Sequence, residues 1–64
     1  MNEIIRAKRI EKGISQGALA RLLKVTQGSV SQWEKGTTSP KVSTLPRLAA
    51  ALGVTVDELI GKAG

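Results

Sequence analysis

The tightest constraint on this chain is the gap between two short apolar-periodic runs: one ends at Leu23, the next opens at Thr26, and only Lys24 and Val25 lie between. Ser15 is suited to cap a helix running to about Leu23. Thr26 is suited to cap one running to Lys35, where Gly36 supplies a left-handed stop. A connection this short forces the two axes to cross at a large angle, so the second helix of the pair should project from the body of the domain.

With 64 residues there is room for one domain, spanning 1–64. A chain this small buries only roughly 60% of the surface its unfolded form exposes, which predicts modest stability. No apolar run approaches the roughly 20 residues that span a bilayer, and Met1-Asn2-Glu3 lacks the basic-then-apolar layout of a secretory signal, so a cytoplasmic location is expected. The sequence has no cysteine and no histidine. Disulfides, thiolate metal sites, the usual zinc ligand and the usual general base are thereby removed, and no catalysis, metal, cofactor or small-molecule substrate is expected. Ten Lys and Arg against five Asp and Glu give a net charge of +5. That balance favours polyanionic partners, although an excess of cations also serves plain solubility. Trp33 is the only aromatic residue, so the stacking platforms used by readers of single strands and RNA are missing, and double-stranded DNA is the preferred polyanion.

Glycines at 13, 36, 53 and 61 each follow an apolar-periodic segment, as helix stops do. They divide the chain into five short helices: Asn2, as cap, to about Lys12; the pair above; Ser43 to Leu52; and Val56 to Ile60. Thr55 and Glu58 have the spacing of a capping box. Pro46 falls inside the fourth segment, which requires a late start or a loose first turn. Ile5, Ile14, Leu19, Ala20, Leu23, Val30, Trp33, Leu45, Leu48, Leu52, Val54, Val56 and Leu59 recur at helical spacing and should form one core. The predicted fold is all-α, a compact five-helix unit, and Trp33 is expected to fill its core, not to stack on a base.

At about 100° per residue, Val30 and Trp33 face inward on the third helix. Gly28, Ser31, Gln32 and Lys35 fall on the opposite side, with Gln27 and Ser29 in the exposed first turn. Amides can present a donor and an acceptor together to the N6/N7 edge of adenine, and a hydroxyl can bond to either a base or a phosphate. Gln27, Gly28, Ser29, Ser31 and Gln32 are therefore the candidate base-reading residues. A polar outer face is common on any surface helix, but such faces are usually rich in Glu and Lys, and the only acid here, Glu34, is turned inward. Gly28 and its counterpart Gly17 either let a backbone approach closely or are neutral. Gln16, Gly17, Lys35, Thr37, Thr38, Ser39 and Lys41 surround this helix where a duplex backbone would pass, and phosphate contact is their expected role. Arg9 follows Ile5 by four and Glu34 follows Val30 by four, which places both charges beside the apolar faces. They are expected to form a structural ion pair between the first and third helices, with a free edge of Arg9 left for a phosphate.

These residues carry a resemblance to the Cro and phage-repressor type of helix-turn-helix protein, also called lambda-repressor-like. The matching positions are Ile5-Arg6, Arg9, Gly13 to Gln16, Leu19-Ala20, Val25, Val30 to Glu34, Gly36, Pro40, Leu45, Leu48-Ala49, Leu52 to Val54 and Asp57 to Leu59. The resemblance implies a helix-turn-helix over about 15–35 in a five-helix DNA-binding domain. It also implies a dimer on a near-palindromic operator and DNA contact at Gln16, Gln27, Gly28, Ser29 and Gln32. The turn in such proteins usually holds a left-handed glycine; Lys24 stands there, with its head expected near DNA. A weak homodimer tightened on DNA is the expected assembly, with Val54, Val56 and Ile60 as candidates for a small apolar patch. Repression is favoured over activation, because the second helix carries Arg21 and no acid. A stand-alone Cro-like protein and the N-terminal domain of a larger repressor both fit. The rival function is a protein-interaction module on the same fold, antitoxin-like or adaptor-like, against which Gln27, Ser31 and Gln32 argue. A membrane-surface domain would need interfacial aromatics that are missing.

Overall fold

The computed structural model describes residues 2–61. In chain order the elements are α1 (Asn2–Glu11), α2 (Gln16–Leu23), α3 (Gln27–Lys35), a single 3-10 turn (Val42–Thr44), α4 (Leu45–Leu52) and α5 (Val56–Leu59). No strand occurs among the described residues, so the five-helix all-α architecture is as expected.

Local chemistry sets most of the boundaries. The side chains of Ser15, Thr26 and Thr55 accept from the backbone N–H groups of Ala18, Ser29 and Glu58, satisfying donors that the first helical turn leaves open. At α5 the expected capping box is complete, because the Glu58 carboxylate accepts in return from the Thr55 N–H. Four ends differ from the sequence reading. Asn2 is the first residue of α1, not its cap, and the preceding position lies outside the described residues. Helices α1 and α5 stop one residue early, at Glu11 and Leu59. The fourth segment does not run unbroken from Ser43: Val42–Thr44 closes as a 3-10 turn, and α4 opens at Leu45 with Pro46 in its first turn. Proline is tolerated there because its missing N–H would have had no helical partner.

The core gathers Ile5 of α1, Leu19, Ala20 and Leu23 of α2, Val30 and Trp33 of α3, Leu45, Leu48 and Leu52 of α4 and Leu59 of α5, all buried. Each fully buried aliphatic side chain contributes about 1.5–3 kcal/mol relative to exposure. Ile14, Val54 and Val56 are only partly buried and pack against this cluster. Ala49, Pro40 and Thr44 are buried as well, although periodicity did not select them. Trp33 is 6% exposed and is a core residue, as expected.

Candidate nucleic-acid interface

The α2–α3 connection is as tight as its length demands. Lys24 ends α2 at φ 58°, ψ 42°, and its N–H donates back to the carbonyls of Ala20 and Arg21. This is the left-handed region, and Lys24 is the one non-glycine residue with positive φ among the described residues. An L side chain there costs of order 1–2 kcal/mol. The turn therefore keeps the left-handed geometry without glycine and tolerates the strain. The Lys24 side chain is exposed.

Helix α3 divides as its periodicity predicts. Val30 and Trp33 are buried, while Gln27, Gly28, Gln32 and Lys35 are exposed and Ser31 is half-buried. Neither Gln27 nor Gln32 is held by a side-chain hydrogen bond among the described residues, so both amides keep their donors and acceptors for an incoming partner. Ser29 sits differently. Its hydroxyl lies 3.0 Å from Thr26 Oγ1, it is half-buried, and it lines a cleft beside Trp33 in place of joining the outward stripe. A Cβ added to Gly28 would meet only Thr26 Oγ1 at 3.8 Å, and one added to Gly17 would meet Gln27 Oε1 at 3.6 Å. Both are ordinary contact distances, so packing within the chain does not require glycine at either position.

The other expected phosphate-facing residues surround α3. Lys35, Thr37, Thr38, Ser39 and Lys41 are all exposed along its C-terminal end and the following loop; Gln16 and Gly17 are half-buried at the start of α2. Gln16 is engaged inside the protein, where its Nε2 donates to Glu34 Oε1 at 3.2 Å. Sequence spacing gave no sign of that contact, because Gln16 opens its helix among polar residues and no apolar repeat sets it toward Glu34.

Arg9 and Glu34 meet as expected. Arg9 Nε donates to Glu34 Oε2 at 2.7 Å and Nη2 to Oε1 at 3.1 Å, a bidentate pair, while Nη1 donates to the Ile14 carbonyl at 2.9 Å. The side chains are 13% and 4% exposed. Burial pushes the Glu34 carboxyl up, but hydrogen bonds from Arg9 and Gln16, together with the charges of Arg9 and Arg6, outweigh it and hold the group below its ordinary value of 4.5. The hydrogen bond to Glu34 raises Arg9, with burial opposing and the carboxylate charge adding to the rise. All three guanidinium nitrogens are thus engaged inside the protein. The free edge expected for a phosphate shrinks to the two N–H groups those bonds do not use.

Sequence reading missed Arg47. It is exposed on the first turn of α4 and shares an open cleft of about 560 Å³ with Lys41, Ser39, Ser43 and the α3 cap. A signal existed, since Arg47 follows Ser43 by four residues, but the apolar periodicity of α4 directed attention to its inner face. No group of His, Cys, Asp and Glu among the described residues could hold a metal ion. No helix among them is long and apolar enough to cross a membrane.

A helix-turn-helix family model matches residues 5–59. Repressor protein C2 of Salmonella phage P22 is 38% identical over 60 residues, covering 94% of this chain and 28% of that protein. The CTXphi transcriptional repressor RstR of Vibrio cholerae is 38% identical over 56 residues, covering 88% of this chain and 50% of that one. The chain thus spans half or less of the length of these curated relatives. Among solved structures, the P22 c2 repressor in complex with a synthetic operator superposes with a TM-score of 0.87 at 38% identity, covering 91% of this chain and 88% of that one. The regulator SinR in complex with DNA gives 0.83 at 32% identity, with 92% and 98% covered. These relatives are repressors or regulators. With its two capped helices, left-handed turn and projecting polar face, the chain belongs to the helix-turn-helix family of the phage-repressor type.

Proposed function

We propose that this protein is a sequence-specific transcription regulator, most simply a repressor, which binds a near-palindromic operator as a two-fold dimer and reads the major groove with α3. Residues 1–64 serve as one DNA-binding unit in the cytoplasm. The observation that carries the proposal is the outward face of α3: Gln27 and Gln32 stand exposed with unspent amides, flanking a Gly28 that the fold itself does not need. Close backbone approach to a base edge accounts for that glycine, and the amides suit the N6/N7 edge of adenine. Of the residues expected to read bases, Gln27, Gly28, Ser31 and Gln32 keep that role; Ser29 is better used in the cap of α3. Lys24, Lys35, Thr37, Thr38, Ser39 and Lys41 neutralise or hydrogen-bond phosphates on either side, with Gln16 and Gly17 at the start of α2. That the P22 c2 repressor was solved on an operator supports the same mode of binding here. The dimer is weak in free solution and tightened on DNA. Ile60 is the exposed member of its apolar patch, since Val54 and Val56 pack largely against the core.

Selection from random duplexes, followed by titration against salt, tests this reading. A two-fold related consensus and a steep negative salt slope are expected. Gln32→Ala should relax preference at one or two base pairs by about 1–3 kcal/mol and leave binding to unrelated duplexes nearly unchanged. Equal losses on every duplex would remove base reading from α3.

A further inference from the structure

The cleft between the start of α3 and the start of α4 has a composition unlike the rest of the surface. Its two charged side chains, Lys41 and Arg47, are both cations, and its other polar side chains are hydroxyls, Thr38, Ser39 and Ser43 among them, together with the indole of Trp33. No carboxylate lines it. Among the described residues the carboxylates that form ion pairs are Glu11 and Glu34, with Lys8 and Arg9, so no carboxylate of the described residues pairs with either cleft cation. Both are exposed. Two unneutralised cations facing one hollow repel each other, and a cleft edged with hydroxyl donors offers nothing anionic to relieve them. An anionic oxygen from outside would satisfy both.

The place of the cleft says which anion fits. Thr26 and Ser29, which bracket Gln27 and Gly28 along the chain, form one of its walls. A strand whose bases meet Gln27 therefore carries its backbone past the mouth of the cleft. At about 560 Å³ the space is too broad and open to confine a small free anion, but it can receive the edge of a polymer. Resting on the DNA-binding reading above, we propose that Arg47 and Lys41 together grip one backbone phosphate of the bound duplex in this cleft. The first turn of α4 then becomes a second anchor that fixes how α3 lies in the groove. Arg47 is a positioning residue in this arrangement and reads no base.

The test compares the intact protein with Arg47→Ala and Arg47→Lys, using fluorescence anisotropy on a labelled mixed-sequence duplex and on the selected consensus over a range of salt. Because Arg47 is exposed and makes no hydrogen bond among the described residues, both variants should melt like the parent. Arg47→Ala should bind both duplexes about tenfold more weakly and lower the steepness of the salt dependence by about one counterion, with base preference unchanged; Arg47→Lys should recover much of the loss. If Arg47→Ala binds both duplexes as the parent does with the same salt slope, the cleft is not a phosphate seat, although the parent's sequence preference would still stand. A loss confined to one base position would make Arg47 a base reader and overturn the positioning role. If the parent itself bound no duplex, the DNA-binding reading and this inference would fall together.

Discussion

Helices α2 and α3 are built to the same local plan and put it to different uses. Each opens with a hydroxyl residue, a glutamine and a glycine, Ser15-Gln16-Gly17 and Thr26-Gln27-Gly28, and in each the hydroxyl accepts from the N–H three residues on. Each closes on a left-handed residue, Lys24 and Gly36. The matched glutamines nevertheless have opposite fates. Gln16 is spent inside the protein on Glu34, whereas Gln27 stays exposed. Burial follows the same split, with Leu19, Ala20 and Leu23 enclosed on the eight-residue α2 against Val30 and Trp33 on the nine-residue α3. Caps decide that a helix forms and where it stops. What a helix does depends on which of its faces the remaining elements cover.

Breaking the joint between the two helices has the largest expected effect. Glu34 of α3 receives Arg9 of α1 and Gln16 of α2, so one carboxylate ties three helices together. Glu34→Ala strands a guanidinium that is 13% exposed, and should cost about 3 kcal/mol, the low end for a broken buried pair, because Arg9 keeps the Ile14 carbonyl. That is a large share of the roughly 3–10 kcal/mol expected of a domain this size. Urea titration should show the midpoint falling sharply, and a double-mutant cycle with Arg9→Ala should show strong coupling; additive losses would mean that the pair holds nothing together. The pH dependence has a defined sign. The Glu34 carboxyl is lowered in the folded state, so its contribution is fully present above its ordinary value of 4.5 and is lost as pH falls through the lower folded value. The stability gap between the parent and Glu34→Gln should therefore be widest at neutrality and close in acid. A gap that widened in acid would contradict the direction of the shift.

Much of this molecule was legible in the sequence because its caps and periodicities act over three or four residues. Ser15, Thr26 and Thr55 cap as read, and the buried set from Ile5 to Leu59 follows helical spacing. What escaped depends on pairs distant in sequence. The Gln16–Glu34 bond joins residues with no shared periodicity, and the cleft around Arg47 exists only once α3, the loop and α4 are assembled. The start of α4 escaped for a different reason. Thr44 precedes it in a helical conformation and its hydroxyl makes no cap bond, so the hydroxyls of Ser43 and Thr44 do not mark the boundary. Pro46 was the better marker, since proline belongs in a first turn.

The closing residues sharpen the comparison at smaller energies. Gly36 sits at φ 80°, ψ 10°, at the edge of what a side chain accepts, and Gly36→Ala should destabilise by about 1 kcal/mol net of its reduced unfolded-state freedom. Thermal melting should register a drop of several degrees. An unchanged melting temperature would show that the end of α3 reshapes freely, unlike the end of α2.

Lys24 carries the smallest expected effect, and two competing costs set its sign. At φ 58°, ψ 42° it lies near the centre of the left-handed region, so relieving it with Lys24→Gly recovers of order 1 kcal/mol. Part of that gain is returned, because glycine gives the unfolded chain more freedom to lose on folding, by roughly 0.4–1 kcal/mol. A net stabilisation of about 0.5 kcal/mol remains, readable as a slightly raised urea midpoint with an unchanged slope. The same substitution removes an exposed cation from the turn beside α3, where the proposed duplex backbone passes, so DNA affinity should fall while stability rises. If both rose together, Lys24 would be a tolerated accident of the turn. Opposite movements would show why a strained lysine holds a place that glycine could fill at lower cost: the tight connection that aims α3 also holds a positive charge against the DNA.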